Sequence, residues 1–280
     1  MNLSKSIYYL LTITFLLIIA CTGKTYKFTP LGNTIHNNLS NYKSANRIEL
    51  LPRTEFQTSA FIFDSKNPGS TVMILGGTHG NEPAGYEAAL RLVDRFYKNP
   101  PSNGKIIIIP EANRQSVLNY DRRIPVPSGV DEERGNLNRC YPGNSEGLPM
   151  QRMANEIQKL AIDNKVHVFI DLHEAVEYHL DIEETADQKA LGQTIIYTPN
   201  EPSVWVVMNL LDIINSEIEN PKQKFASLER PILNSAAWWA GKYLGIASFT
   251  FETSRKDPIE VRINYHLRLV EIVLEIEGIL

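Results

Sequence analysis

Thr71-Val72-Met73-Ile74-Leu75-Gly76-Gly77-Thr78-His79-Gly80-Asn81-Glu82-Pro83-Ala84-Gly85 carries most of what this chain says about its architecture. Thr71 to Leu75 is a short β-rich run of the kind that forms a buried strand, and Gly76-Gly77 ends it. From Pro83 to Tyr97 the period changes, with Tyr86, Leu90, Val93 and Tyr97 forming an apolar stripe at helical spacing. The alternation recurs. Ile106 to Ile109 ends at Pro110, Val166 to Ile170 leads into Asp171-Leu172-His173, and Ala247 to Phe251 leads into Glu252. Further helices are expected from Met150 to Ala161, striped by Met153, Ile157 and Leu160, from Val204 to Ile218, and from Pro258 to about Glu277. Together these runs predict an α/β domain built on a mostly parallel, mixed β-sheet with helices on both faces.

Ligands of open α/β sheets bind beyond the carboxyl ends of the strands. His79, Asn113, His173 and Glu252 each fall at or just past such an end, so all four are expected to converge on one crevice. His79 and Glu82, separated by two residues, can bend onto one metal ion from a tight loop, and Gly76, Gly77 and Gly80 let the backbone turn there. Catalytic zinc takes three protein ligands and keeps a fourth position for water, so a distant third ligand is required. His173 is the natural candidate. His167, on the same strand, reads as structural, and strand alternation should point Glu174 away from His173. Asp171 either orients a ligand histidine or makes a structural hydrogen bond.

Gly76 to Gly85, then Asn136-Leu137-Asn138-Arg139-Cys140-Tyr141-Pro142-Gly143, Asp171-Leu172-His173 and Phe251-Glu252-Thr253 together resemble the zinc carboxypeptidase superfamily. Within it the resemblance is nearest to the succinylglutamate desuccinylase and aspartoacylase branch, and it extends over essentially everything from Ile48 onward. It implies a carboxypeptidase-like fold and one Zn²⁺ per chain on His79, Glu82 and His173. It implies Glu252 as general base and Asn138 with Arg139 as holders of a substrate carboxylate, for which a guanidinium fork is suited. It implies Arg122 as stabiliser of the oxyanion, with Arg123 beside it and Arg134 nearby as alternatives. Two departures stand out. Relatives commonly carry Asn-Pro where this chain has Asn113-Arg114, and only one helix's worth of chain follows Glu252, which leads us to expect an open site.

At the other end of the chain, Lys5 precedes an apolar run from Ile7 to Ala20, the length of a signal-peptide core. The ending Leu17-Ile18-Ile19-Ala20-Cys21 resembles the bacterial lipobox, which implies a signal peptide over 1–20 and a lipidated Cys21. A polar tether over 21–47 and a hydrolase domain over 48–280 complete the expected layout. The chain is accordingly expected in a bacterial cell envelope, on the periplasmic face or cell surface, anchored to the membrane through Cys21. A formal net charge of −4 provides no basic patch for nucleic acid, and no protein partner is indicated. With Cys21 and Cys140 as the only cysteines, a disulfide framework is excluded, and Cys140 reads as a small buried thiol. The expected reaction is hydrolysis of an amide next to a substrate carboxylate, on an exported peptide or cell-wall peptide. Deacylation of N-acyl amino acids is the alternative, and a non-catalytic zinc- or peptide-binding lipoprotein is the alternative of another class.

Overall fold

The computed structural model describes residues 47–181 and 190–280. The expected signal peptide, the lipidated Cys21 and nearly all of the tether lie outside the described residues.

Eight strands form one sheet in the order β1-β2-β4-β3-β5-β8-β6-β7. They are β1 (Arg47–Leu50), β2 (Thr58–Asp64), β3 (Thr71–Leu75), β4 (Lys105–Ile109), β5 (Val168–Ala175), β6 (Thr194–Tyr197), β7 (Ala226–Leu228) and β8 (Ala247–Ser254). The centre, β4-β3-β5-β8, is parallel, while β1, β2 and β6 join their inner neighbours antiparallel. This is the mixed, largely parallel sheet the apolar runs imply.

Six α-helices accompany it among the described residues: α1 (Pro83–Lys98), α2 (Arg114–Asn119), α3 (Pro149–Asp163), α4 (Glu201–Ser216), α5 (Ala236–Trp239) and α6 (Ile259–Ile276). Period-2 alternation sends Val72 and Ile74 to one face of β3 and Met73 and Leu75 to the other. The first face packs under α1, α4 and α6, through residues such as Leu90, Leu210 and Leu269. The second packs under α3 and the segment around Trp239, with Met153 and Ile157 at its centre. The strands carry apolar residues on both faces because both faces are covered.

The structure moves two boundaries in a way that matters for the site. β5 and β8 do not stop before Asp171 and Glu252. They stay paired in register from Val168↔Ala247 through His173↔Glu252 to Ala175↔Ser254. β3 ends opposite Asp171. The two neighbouring strands therefore overshoot β3 and form one flank of the crevice, with the loop after β3 lying beside them.

Candidate metal centre and active site

The loop His79-Gly80-Asn81-Glu82 joins β3 to α1 and is pressed against the α2 segment. Gly80 N donates to Asp121 O (2.8 Å) and to Ser116 Oγ (3.1 Å). A Cβ at Gly80 would lie 1.9 Å from Ser116 O, so only glycine permits this approach. The result is that His79 and Glu82 meet His173 from β5. His79 Nδ1 lies 2.9 Å from Glu82 Oε1, His173 Nδ1 lies 2.8 Å from Glu82 Oε2, and the two Nδ1 atoms are 3.1 Å apart. Donors sharing a tetrahedral ion with bonds of about 2.0–2.1 Å would stand about 3.3–3.4 Å apart. All three residues are buried, and they are the group of the described residues whose donor atoms could hold a metal ion.

The partners of the two imidazoles orient them for this purpose. His79 Nε2 faces Asn136 Oδ1 at 3.0 Å, and His173 Nε2 sits 2.9 Å from Asp171 Oδ2. Each ring also meets a Glu82 oxygen at Nδ1, so a cation held at the two Nδ1 atoms requires the ring protons on the Nε2 side, toward Asn136 and Asp171. Two lone pairs at 3.1 Å repel unless a proton or cation lies between them. Asp171 is held in turn by Thr78, whose Oγ1 donates to Oδ1 (2.8 Å), and Asn136 Nδ2 donates to Glu133 Oε2 (2.8 Å).

The electrostatics agree. Burial works to raise the Glu82 pKa, yet His79 and His173 outweigh it and hold the group well below the ordinary carboxylate value. Burial lowers the pKa of His79. It also acts to lower that of His173, but the Asp171 and Glu82 carboxylates prevail and raise it well above the ordinary value. An anionic pocket holding two imidazoles is thus organised around a positive charge, and the donor set of two nitrogens and a carboxylate suits zinc.

Glu252 stands next to His173 in the parallel register and lines the same cavity, of about 290 Å³. Its Oε2 is buried without a hydrogen-bond partner among the described residues, and burial pushes its pKa up to about 8. Arg122 reaches the cavity from the loop after α2. Its Nη1 donates to Glu82 Oε1 (3.1 Å) and lies 3.3 Å from His79 Nδ1. Arg123 turns away to Glu133 (2.6 Å) and Glu132, so of these two neighbours Arg122 is the one at the cavity.

Of the other residues, Asn113 and Arg139 are placed differently from expectation. Asn113 does not enter the crevice; it caps α2, where its Oδ1 accepts from Ser116 N (3.4 Å). Asn138 lines the cavity with its Oδ1 accepting from Ala236 N (3.1 Å). Arg139 is not among the cavity-lining residues, because its Nη1 folds back onto Asn138 O (2.7 Å) and its Nε lies 3.7 Å from Glu133. Glu174 faces away from the metal group, accepting from Ala84 N (2.9 Å) and pairing with Arg262. The His167 ring accepts from Thr71 N (3.0 Å), a structural role. Cys140 is a buried free thiol. Two residues near the centre had no role from the pattern: Asn136, which orients His79, and Arg255. Arg255 lines the cavity, donates from Nη2 to Asn81 O (2.8 Å), and lies 4.0 Å from Glu82 Oε1.

Residues 68–190 match the family model of the succinylglutamate desuccinylase/aspartoacylase catalytic domain. The chain is 29% identical over 108 residues to N-alpha-acetyl-L-2,4-diaminobutyric acid deacetylase of Halomonas elongata, a stretch covering 39% of this chain and 29% of that one. Its fold is similar to that of the cell shape determinant protein Csd4 of Helicobacter pylori, with a TM-score of 0.64 and 20% identity over 84% of this chain and 55% of the other. It is also similar to an aspartoacylase family protein of Mesorhizobium loti, with a TM-score of 0.60 and 22% identity over 84% and 66% of the two chains. Csd4, described as a D,L-carboxypeptidase, is among these structures in a tripeptide-bound form. The chain spans about half the length of Csd4 and under a third of the deacetylase.

Proposed function

We propose that this protein is a zinc-dependent hydrolase of an amide bond adjacent to a substrate carboxylate. The observation that carries the reading is Glu252: a buried carboxylate with an unpartnered oxygen, beside three donors whose lone pairs converge. Structural carboxylates are paired when buried. One left unpaired in a cavity, with its pKa raised to about 8, is suited to take and return a proton near neutral pH. When bound to His79, Glu82 and His173, zinc supplies Lewis acidity and lowers the pKa of a water from about 15.7 toward about 7. Glu252 accepts a proton from the attacking water and delivers one to the leaving nitrogen. Arg122 places a guanidinium where the carbonyl oxygen becomes negative. Asn138 lies at the cavity wall to meet the substrate carboxylate, and Arg139 joins it by leaving its contact with the Asn138 carbonyl.

A peptide or cell-wall peptide is the proposed substrate, supported by the likeness to the tripeptide-binding Csd4 fold. The match to a deacylase family and to a deacetylase favours a second reading, removal of an acyl group from an amino acid. Both readings share one reaction. Export and anchoring through Cys21 belong to the same proposal and rest on the sequence of residues 1–21.

The test is metal analysis and amide hydrolysis in Glu252→Gln. Metal content should stay at one zinc per chain while kcat falls by about 10²–10⁴-fold, the usual worth of a general base. Unchanged hydrolysis would remove Glu252 from the mechanism, and a metal-free, active wild-type protein would remove zinc.

A further inference from the structure

A second and larger cavity, of about 470 Å³, opens at the end of the sheet opposite the metal group. Ser70 just before β3, His167 just before β5 and Ala247 at the start of β8 place it at the amino ends of those strands. His173 follows His167 along β5 by six residues, so at about 3.3 Å per residue the two sites stand roughly 20 Å apart. The proposed reaction makes no use of this cavity.

Its apolar lining comes from Val206, Ile246 and the ring of Trp205 on α4. Trp205 is 57% exposed and meets no other ring among the described residues, so a large aromatic surface is left open at the cavity. The polar lining is one-sided in charge. Glu201 and Glu277 both border the cavity, neither carboxylate has an ion-pair or hydrogen-bond partner among the described residues, and no lysine or arginine lines it. His167 adds no positive charge, because its Nδ1 accepts from Thr71 N (3.0 Å), and a ring nitrogen that accepts carries no proton. Glu277 is the C-cap of α6, whose last turn holds no basic residue. A carboxylate there stands at the negative end of an 18-residue helix, where a cation is the favoured partner and a second anion is disfavoured. Solvated carboxylates are ordinary on a surface, but here two of them share one cavity with an uncovered indole and no cationic side chain.

We propose that this cavity binds a small organic cation, an amine whose ammonium meets the Trp205 ring and the Glu201 and Glu277 carboxylates and whose apolar body lies against Val206 and Ile246. An indole is the aromatic face that attracts an ammonium most strongly, and the two carboxylates add to that attraction. A neutral ligand would dry the same surface without compensating either carboxylate, and an anion would meet both, so the charge pattern selects the cation. The site is independent of which amide is hydrolysed at the metal group.

The probes are 2-phenylethylammonium and its neutral isostere 2-phenylethanol, titrated by calorimetry into the full chain at neutral pH. The ammonium should bind about tenfold more tightly than the alcohol. Trp205→Ala and Glu277→Gln should each weaken the ammonium by about fivefold, while Trp205→Phe keeps part of the affinity. Thermal unfolding midpoints equal to that of the unaltered chain keep a lost site apart from a lost fold, and Glu201→Gln carries the same reading should either of the first two variants fail to fold. Absence of binding, or equal binding of the ammonium and the alcohol, would overturn the proposal. So would an ammonium affinity that Trp205→Ala, Glu201→Gln and Glu277→Gln all leave unchanged, since the amine would then lie elsewhere, as among the carboxylates of the metal cavity.

Discussion

Asp171 illustrates how a single side chain sets the metal group. One oxygen is held by Thr78 and the other sits 2.9 Å from His173 Nε2, where the carboxylate's charge favours a proton on that side of the ring. Asp171→Asn keeps the shape but can present an NH₂ to Nε2–H. Zinc affinity should then drop about 10–100-fold, measured by competition with a chelator, while the circular dichroism spectrum stays the same. A zinc affinity within twofold of the unaltered chain would reduce Asp171 to a structural hydrogen bond. The members of the group that could hold a metal were legible because their spacing is local, His79 with Glu82, or tied to a strand end, His173. Asn113 misled, since asparagine after a strand serves equally well as a helix cap, and here it caps α2. Arg255 had no legible signal at all. It reaches the cavity through pairing between β5 and β8, a contact that spacing along the chain does not encode.

At the scale of elements, the four long helices were legible to within a few residues, because a 3.6-residue period averages over several turns, whereas the short α2 and α5 were not foreseen. The ends of β5 and β8 were not. Leu172-His173-Glu174 and Glu252-Thr253-Ser254 are too polar to read as strand, and they remain strand because each supplies the other's hydrogen bonds. Close approach on the next layer secures them. A Cβ at Gly85 would come within 2.5 Å of Leu172 O, so α1 lies almost in contact with the backbone of β5. α6 closes the same face through His266, which is fully buried with Nε2 3.1 Å from Thr253 Oγ1. Burial, reinforced by the charge of His173, pushes the His266 pKa down to about 3. An unfolded histidine takes up its proton near pH 6.5. Between those values the unfolded chain binds the extra proton, so the stability that depends on a neutral His266 is complete above about pH 6.5 and is lost as pH falls toward 3. Urea unfolding should show this as a decline steeper than that of His266→Gln by about 1.4 kcal/mol per pH unit. Parallel pH profiles would show instead that His266 is protonated in the fold.

The whole molecule has a polarity that the individual motifs do not reveal. β1 runs antiparallel to β2, and β2 antiparallel to β4, so β1 points the same way as the parallel centre of the sheet. The register nevertheless places Arg47 level with Phe61, Ile108 and Ile74, close to the carboxyl end of β3. If Cys21 is an acylated anchor, as we propose, anchoring and catalysis should be separable, because the described residues that line the cavity all lie at His79 or later. Cys21→Ser should move the protein from the membrane fraction to the soluble fraction, because removing the acylated position removes the chains that make attachment stable. Its kcat/KM on a small soluble dipeptide should match that of the anchored protein within about twofold, since the acylated position contributes nothing to the transition state. Continued sedimentation of Cys21→Ser with membranes would mean that the apolar run from Ile7 to Ala20 is the anchor and is not cleaved. A large fall in kcat/KM would mean that the membrane takes part in shaping the crevice.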